Sequence, residues 1–465
     1  MKKSIKQIFK LLIMKKSLLL LVAVVLSGAM QSCSSSDDDV NLGEAKSVVN
    51  LLSDPQPIQL TDEQQVFAND NNSFTLKFLK TVNEVDQSGK SFIYSPLSIT
   101  YVLGMVNDAA TGETEKELEQ TLGFHEGGIQ AVNEFCKKLI DGLPKVDDKV
   151  TLNIANAIFV NKSCTLKEQF QQDMQTYYDA KAESLDFSSP QTLDHINGWC
   201  KEKTNDMIPS ILDEVDPDMV SYLLNAIYFK ADWASKFDQK YTKDEIFTTE
   251  SGFTKLPMMH QNVLIQYIDR GMFSAVKIPY GNGMWNMMVL LPGEGFTTDD
   301  IINELATYGI NGVEGVLFCT TGMSEAEINA YKFRPHEVDL KLPRFETSSD
   351  TSNLDTGEPN KKKGLIGIMQ KMGIHRAFID VMAEIPNMST VPVYIDMMRQ
   401  KAKIKVNEEG SEAAAVTVAG MKEMSMGPNI VEYPKAIFHA NRPFVYVIQE
   451  ASSGVILFVG KFTGQ

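Results

Sequence analysis

The side chains that most often carry catalysis have no catalytic spacing in this chain. Nucleophile elbows (G-x-S-x-G), H-E-x-x-H pairs, Walker loops and G-x-G-x-x-G turns are all absent from the sequence. The six histidines are scattered and show no metal-ligand spacing: His125, His195, His260, His336, His375 and His439. Carboxylates are plentiful, but a single aspartate or glutamate indicates nothing without geometry. The sequence therefore predicts a protein that is not an enzyme and that holds no metal or cofactor.

One stretch near the C-terminus combines the pattern of a strand with the flanks of an exposed loop. Read with a period of two, it has one face of small, uncharged side chains: Ser411, Ala413, Ala415, Thr417 and Ala419. Such a face fits into a packed sheet without steric or charge penalty. Polar residues at 407–410 precede this stretch. The residue types at 421–429 after it are typical of an exposed segment that proteases can reach. The pattern predicts a segment that is either exposed or inserted; an ordinary alanine-rich edge strand or helix is the alternative.

This stretch and several other motifs resemble the serpin family. The two most specific patterns are N-E-E-G-S-E-A-A-A at 407–415 and F-H-A-N-R-P-F-V-Y-V-I at 438–448. Supporting matches follow the order of the family, at 92–99, 112–114, 225–233 and 257–259. The resemblance covers nearly all of the chain from about Phe67 to the C-terminus.

The resemblance implies an α+β fold with three β-sheets, eight or nine helices and an exposed reactive centre loop at about 408–432. In the family this loop is bait for a serine or cysteine protease, which attacks one bond and forms an acyl-enzyme. The cut loop inserts into the large sheet and drags the protease along, which stalls deacylation. The hinge that begins this insertion would comprise Glu408, Glu409, Gly410, Ser411, Glu412, Ala413, Ala414 and Ala415.

The family's loop numbering predicts the bond that is attacked. With Gly410 fifteenth before the bond, cleavage falls between Met424 and Ser425. Met424 is unbranched and apolar, which favours an elastase-like or chymotrypsin-like target. The loop is longer on its distal side than in many relatives, so Lys422, which suits a trypsin-like target, and Met426 stay open as alternatives.

A polar cluster beneath the large sheet governs its opening in the family, and Ser95, Ser98, Asn197 and Gln400 match those positions. Relatives usually carry histidine in place of Gln400, whose amide still donates and accepts hydrogen bonds. Relatives without inhibitory activity tend to have bulky or charged hinges, so the small hinge here favours an inhibitor. A non-inhibitory binding lipoprotein on the same fold is the alternative function.

Composition and charge limit the class of protein and its partners. The chain has 465 residues, of which 43% are apolar, and a formal net charge of −16. The apolar fraction excludes bulk disorder, and the negative charge excludes a nucleic-acid partner. The resemblance implies a monomer whose partner is the target protease, bound covalently.

The N-terminal sixty residues are predicted to direct export. Residues 1–32 carry six lysines, no acid and a short apolar run, as expected of a signal peptide. Cys33 and the serines and aspartates after it resemble the lipidation site and export tag of bacterial surface lipoproteins. Residues 33–61 would then tether the domain at 62–465 to the outer membrane, with secretion without lipid as the alternative. Removal of residues 1–32 would change the net charge from −16 to −22.

Hydrophobic patterns predict the elements that must position the loop. Helical spacing of Phe67, Phe74 and Phe78 predicts a first core-facing helix, and the apolar run at 99–106 predicts a second. Short apolar runs predict strands at 152–160, 222–229 and 284–291. Helices early and strands late indicate an α+β fold.

Two further predictions concern loops and thiols. The polar stretch at 346–364 predicts a solvated loop. Four cysteines lack paired spacing and are predicted to be buried free thiols: Cys136, Cys164, Cys200 and Cys319. A disulfide among them, and a hydrolase with Cys200 as nucleophile, are the alternatives.

Overall fold

A computed structural model of the chain describes residues 46–47, 54–124, 127–314, 332–357, 363–411 and 432–465. All of these residues belong to one compact unit at 42–465. Several predicted features lie outside the described residues: the targeting segment at 1–32, Cys33, residues 412–415, Lys422, Met424, Ser425, Met426 and Cys319.

The first helix begins where the sequence supplies both a side-chain cap and core-facing aromatic residues. The first helix begins with a capping box between Thr61 and Gln64, and Phe67, Phe74 and Phe78 are buried along it, which confirms its prediction. The described residues contain eight α-helices: α1 (Asp62–Val85), α2 (Pro96–Ala109), α3 (Gly112–Leu122), α4 (Gly128–Gly142), α5 (Glu168–Tyr178), α6 (Gln191–Lys203), α7 (Thr298–Glu314) and α8 (Gly364–Met372). No described helix is both long and apolar enough to cross a membrane.

Strands dominate the second half of the chain. In the described residues they are β1 (Lys46–Ser47), β2 (Phe92–Tyr94), β3 (Thr151–Asn161), β4 (Lys181–Leu185), β5 (Ser221–Asp232), β6 (Lys243–Thr249), β7 (Gly252–Asp269), β8 (Phe273–Tyr280), β9 (Trp285–Pro292), β10 (Arg334–Pro343), β11 (Phe345–Asp350), β12 (Met397–Val406), β13 (Gly410–Ser411), β14 (Lys435–His439), β15 (Phe444–Glu450) and β16 (Ile456–Phe462). The strands predicted at 152–160, 222–229 and 284–291 correspond to β3, β5 and β9.

The three sheets implied by the resemblance connect as two hydrogen-bonded networks. Six strands form one, in the order β11-β12-β13-β5-β3-β4, and ten form the other, along β14-β10-β7-β8-β9-β15-β16-β2 with β1 and β6 on β7. The second network is continuous because the 18-residue strand β7 pairs with β6 through its first part and with β8 through its last residues. Helices and strands are largely segregated along the chain, and the α+β class is confirmed.

The six-stranded sheet is covered on both faces, as predicted for its central strand β5. Alternate residues of β5 reach opposite sides. Leu223, Ile227 and Phe229 belong to the main core, to which α2 also contributes. Tyr222, Leu224 and Ala226 belong to a smaller core beneath α6.

The loop prediction for 346–364 is wrong at its beginning. Phe345–Asp350 forms β11, which pairs antiparallel with β12. Phe345 and Thr347 are buried while Glu346 between them is exposed, so a strand alternation exists that the polar composition hides. The thiol prediction is confirmed for Cys136, Cys164 and Cys200, which are buried and free.

Candidate functional site

A gap opens at one end of the six-stranded sheet, between β5 and β12. These two strands pair in parallel from Met397↔Tyr222 to Lys401↔Ala226. Beyond that point β13 lies between them, with Ser411 paired to Ala231 on one side and to Val406 on the other. The first residues of the predicted hinge therefore occupy the mouth of a gap that already has strand edges on both sides.

Ser411 faces the core within this gap. Its side chain is fully buried, and its Oγ lies 2.6 Å from the hydroxyl of Tyr280. Tyr280 stacks on Trp233 with ring centroids 4.3 Å apart, and burial raises the pKa of the Tyr280 hydroxyl. A small hydroxyl side chain fits this site, whereas a long or charged one would displace two packed aromatic rings.

Gly410 is required by close approach to β5. A Cβ atom added at this position would lie 2.0 Å from the carbonyl oxygen of Ala231 and 2.7 Å from the Cα of Asp232. No side chain fits at these distances without moving the backbone of one strand. The glycine of the hinge therefore allows β13 to lie against β5.

Two glutamates anchor the base of the hinge. The buried carboxylate of Glu408 accepts a hydrogen bond of 2.6 Å from the hydroxyl of Thr242 and pairs with Arg344. Burial alone would raise the pKa of Glu408, but the bonds from Arg344 and Thr242 outweigh it and hold the pKa below its ordinary value. Glu409 pairs with Lys236 at 2.6 Å. These ionic contacts fix where the hinge leaves the sheet.

The backbone of the hinge base is also hydrogen-bonded to the residues that follow β5. The amide of Trp233 donates to the carbonyl of Glu409 at 2.7 Å, and the amide of Phe237 donates to the carbonyl of Glu408 at 3.0 Å. The indole Nε1 of Trp233 donates to the carbonyl of Asn407 at 2.8 Å. The turn at the base is therefore rigid, and the chain enters the gap in a fixed direction.

Beneath the paired part of β5 and β12 lies a buried polar cluster. Gln400 on β12 donates through Nε2 to the carbonyl of Ser95 at 2.9 Å and to Oδ1 of Asn225 on β5 at 3.1 Å. Its Oε1 accepts from the amide of Ser95 at 3.0 Å, and the hydroxyls of Ser95 and Ser98 lie 3.2 Å apart. The structure thus brings three of the four predicted residues together, and the Gln400 amide links the two strands that border the gap.

Asn197 does not belong to this cluster, so its prediction is wrong. It lies on α6, which packs on the smaller core and hence on the other face of the sheet from α2. Its side chain accepts hydrogen bonds from the amides of Ile211 and Leu212 at 2.8 and 2.9 Å and donates to the carbonyl of Leu212 at 2.9 Å. The residue stabilises a local turn.

Sequence reasoning missed the partners of Gln400. Asn225 bonds Gln400 directly and donates to Oδ1 of Asn156 on β3 at 2.9 Å, and Thr351 accepts through Oγ1 from the backbone N–H of Gln400 at 2.9 Å. One signal was available. Asn225 carries the single side-chain amide within the apolar run 222–229, and a buried polar side chain needs a hydrogen-bond partner.

The alternative of a hydrolase that uses Cys200 is not favoured by the site. The thiol is fully buried, and its Sγ lies 3.5 Å from the carbonyl of Ile208. Burial raises the pKa of Cys200 to about 12, so the thiol keeps its proton near neutral pH. A protonated, covered thiol cannot attack a substrate.

Comparison with known sequences identifies similar proteins over most of the chain. Residues 69–464 match the family model described as Serpin (serine protease inhibitor). The chain is 30% identical over 409 residues to Serpin B6 of Pongo abelii, which covers 86% of this chain and 99% of that protein. It is 29% identical over 412 residues to Antitrypsin of Bombyx mori, which covers 87% of this chain and 95% of that protein.

Solved structures show the same fold. The native state of tengpin, a thermophilic serpin, superposes with a TM-score of 0.71 at 24% identity and covers 90% of this chain and 97% of that chain. Human thyroxine-binding globulin, solved as a complex, has a TM-score of 0.69 at 24% identity and covers 86% of this chain and 98% of that chain.

Proposed function

The chain belongs to the serpin family, whose members are generally protease inhibitors, and we propose that it is a suicide-substrate inhibitor of serine proteases. Elastase-like or chymotrypsin-like enzymes are the first expected targets, and cysteine proteases are a second class. One observation carries the proposal: Gly410 and Ser411 already pair with β5 and β12 at the mouth of the gap.

Continuing this register supports insertion of the rest of the loop. From Ser411↔Ala231, each further loop residue would meet the preceding residue of β5. Ala413 would lie opposite Phe229 and Ala415 opposite Ile227, both of which face the main core. Residues directly opposite in a sheet share a face, so the small side chains would enter the packed core.

The same register would bring Thr417 between Asn225 and Gln400, which now pair with each other. Insertion must therefore break the hydrogen bond between Gln400 and Asn225. The hydroxyl of Thr417 both donates and accepts, so it would replace partners that the two amides lose.

In the proposed reaction the protease nucleophile attacks the carbonyl carbon of Met424. The bond to Ser425 breaks, Ser425 leaves as a free amine, and its proton comes from the general acid of the protease. The Met424 carbonyl remains esterified to the protease while the loop inserts. New backbone hydrogen bonds to β5 and β12 lower the free energy of this covalent state. Lys422 and Met426 are the alternative positions for the attacked carbonyl.

A substitution at Ser411 tests this function. We expect the natural protein to form a covalent complex that survives SDS with an elastase-like or chymotrypsin-like protease. Mass spectrometry of the released C-terminal peptide would identify the bond. In Ser411→Arg a charge would have to enter the buried site beside Tyr280, so we expect cleavage without trapping. The number of inhibitor molecules needed per protease should rise at least ~10-fold, because cleavage and release would outpace insertion of the charged hinge.

The matched control is Glu412→Arg. Glu412 is the next residue and lies on the opposite face of the predicted strand, so this variant should still trap the protease. Trapping by Ser411→Arg at full stoichiometry would refute the insertion mechanism. Simple cleavage of the natural protein by elastase-, chymotrypsin-, trypsin- and papain-like enzymes would refute inhibition itself.

The second candidate is a non-inhibitory binding lipoprotein on the same fold. It is favoured by the likeness to thyroxine-binding globulin, whose name describes the binding of a small ligand. This candidate predicts no covalent complex with any of the four protease classes and no effect of Ser411→Arg on function.

We also propose that the protein is exported and anchored through lipid on Cys33, with residues 33–61 as the tether. The support is the sequence pattern described above. In a bacterial expression host the natural chain should take up labelled fatty acid and sediment with membranes. Cys33→Ala should do neither, and equal behaviour of the two would favour secretion without lipid.

A further inference from the structure

Three neighbouring strands bring two histidines and an aspartate to one point of the ten-stranded sheet. Lys341 on β10 pairs with His260 on β7 and with His439 on β14, so the two histidines flank it in one row. Asp339 lies two residues along β10 and therefore on the same face. One ligand atom from each of His260, Asp339 and His439 lies within 4.8 Å of the others.

The contacts within this cluster leave one nitrogen unsatisfied. Nε2 of His260 lies 2.6 Å from Oδ1 of Asp339 and forms a hydrogen bond with it. Nε2 of His439 lies 3.3 Å from Oδ2 of the same carboxylate, but it is buried and has no partner in hydrogen-bond geometry. Both imidazoles therefore face one carboxylate, and His439 is held there by an ion-pair contact rather than by a well-aligned hydrogen bond, which leaves its Nε2 available as a ligand.

The lysine in the same row does not compete for this point. The ammonium of Lys341 lies 2.9 Å from both carboxylate oxygens of Glu245, on β6. The positive charge of Lys341 is therefore compensated by Glu245 on β6, and not by Asp339 within the cluster. The three candidate ligands are partly covered, with 12% of the His260 side chain exposed, 39% of Asp339 and 31% of His439.

Two imidazoles and one carboxylate form a ligand set that zinc uses when its fourth position is left to water. Bonds of about 2.0–2.2 Å in a tetrahedron place ligand atoms about 3.3 Å apart. The 3.3 Å distance from His439 to Asp339 has this value, the 2.6 Å distance from His260 to Asp339 would lengthen by about 0.7 Å, and the two imidazoles already lie within reach of one ion. We propose that His260, Asp339 and His439 bind one Zn²⁺ ion, with water as the fourth ligand.

Such an ion would hold an edge strand in place. Among the described residues, β14 ends the ten-stranded sheet and is the next strand after β13, at the base of the hinge. A metal bound to one residue from each of β7, β10 and β14 would cross-link β14 to the sheet through side chains, in addition to its parallel pairing with β10. The site is independent of the proposed inhibitory function.

Zinc titration of the purified, chelator-treated protein tests this site. We expect calorimetry to show one Zn²⁺ per chain, and the thermal midpoint to rise with excess ZnCl₂ because the ion binds the folded state. Asp339→Asn and His439→Gln should each weaken binding at least ~10-fold, since even an outer-shell partner of a ligand contributes that much.

The control is His336→Gln, on the same strand β10 but outside the cluster, where Nδ1 lies 2.9 Å from the carbonyl of Arg334. Its zinc affinity should equal that of the natural protein. Absence of binding, or equal binding by His439→Gln, would show that the cluster is only an ion-pair network. If that variant does not fold, the Co²⁺ form of the natural protein decides, because lack of the intense visible bands of four-coordinate cobalt would also overturn the proposal.

Discussion

At Gly410 and Ser411, interatomic distances decide which residue types the hinge accepts. A Cβ at Gly410 would lie 2.0 Å from a carbonyl oxygen of β5, and Ser411 Oγ lies 2.6 Å from a buried tyrosine hydroxyl. The period-two reading of the sequence predicted a small face here, and the structure explains why the first member must be small. Elsewhere, among the helices, burial also changes the pKa of a carboxyl group, that of Asp108.

Asp108 lies near the end of α2 and accepts a hydrogen bond of 2.6 Å from Nδ2 of Asn133. Burial raises the pKa of the Asp108 carboxyl from 3.8 to about 6. The folded state then holds this proton more tightly than the unfolded chain does. Its contribution to stability is therefore present below about pH 4 and is lost as the pH rises through about 6.

We expect Asp108→Asn to remove this loss. The free energy of unfolding of the variant relative to the natural protein should increase by about 1–2 kcal/mol between pH 4 and pH 7, less than the full value of about 1.4 kcal/mol per pKa unit because solvent reaches part of the carboxyl. Urea unfolding at several pH values measures it, with Asp218→Asn as an exposed control. A relative stability that does not depend on pH would contradict the raised pKa.

Among the elements, β5 and β12 determine whether the sheet can accept another strand. They pair only from Met397 to Lys401 on β12, and the bond from Gln400 to Asn225 reinforces that paired part. The same amide bonds the backbone of Ser95, so it also ties both strands to the start of α2. Opening of the sheet and release of this helix end are therefore coupled.

Gln400→Ala should weaken this connection. It would leave buried groups of Ser95 and Asn225 without partners, each at a cost of about 1–3 kcal/mol. We expect a lower thermal midpoint and faster hydrogen–deuterium exchange of the amides at 397–401. Lys405→Ala, at an exposed position on the same strand, is the control. Unchanged exchange at 397–401 would mean that backbone pairing alone holds the two strands.

Elements with a strong local pattern were predictable from the sequence, whereas contacts set by register were not. The phenylalanine spacing of α1 and the apolar run of β5 are complete within one segment. β11 was missed because its buried positions are occupied partly by threonine. Asn197 was assigned to the polar cluster from the sequence alone, but its helix packs on the other face of the sheet. His260 and Asp339 are 79 residues apart, so only strand pairing brings them together.

In the molecule as a whole, one sheet is incomplete although an extensive core is buried around it. The ten-stranded sheet and the helices bury an extensive apolar core, yet the six-stranded sheet leaves β5 and β12 separated beyond Lys401 and Ala226. An incomplete sheet bordered by two strand edges is a site where added backbone pairing lowers the free energy. In the proposed mechanism, the reactive loop supplies this pairing.

Cutting the loop should therefore stabilise the protein. Once one end is free, residues 412–421 can pair with β5 and β12 on both sides. At about 1 kcal/mol per net hydrogen bond, ten inserted residues contribute on the order of 10 kcal/mol. We expect calorimetry to show a thermal midpoint more than about 10 °C higher after limited proteolysis. Cut Ser411→Arg should lack this increase, and equal melting of cut and intact natural protein would contradict insertion.

In the proposed mechanism, the length of β5 sets how far a covalently attached protease moves when the loop inserts. The register that pairs Ser411 with Ala231 brings Met421 opposite Ser221, where β5 begins. Only three residues then join the end of the strand to Met424, a leash of about 10 Å at 3.3 Å per residue. A globular protease on so short a linker would be pressed against the end of the sheet at which β5 begins. The reach of the trap is thus fixed by the number of residues in one strand.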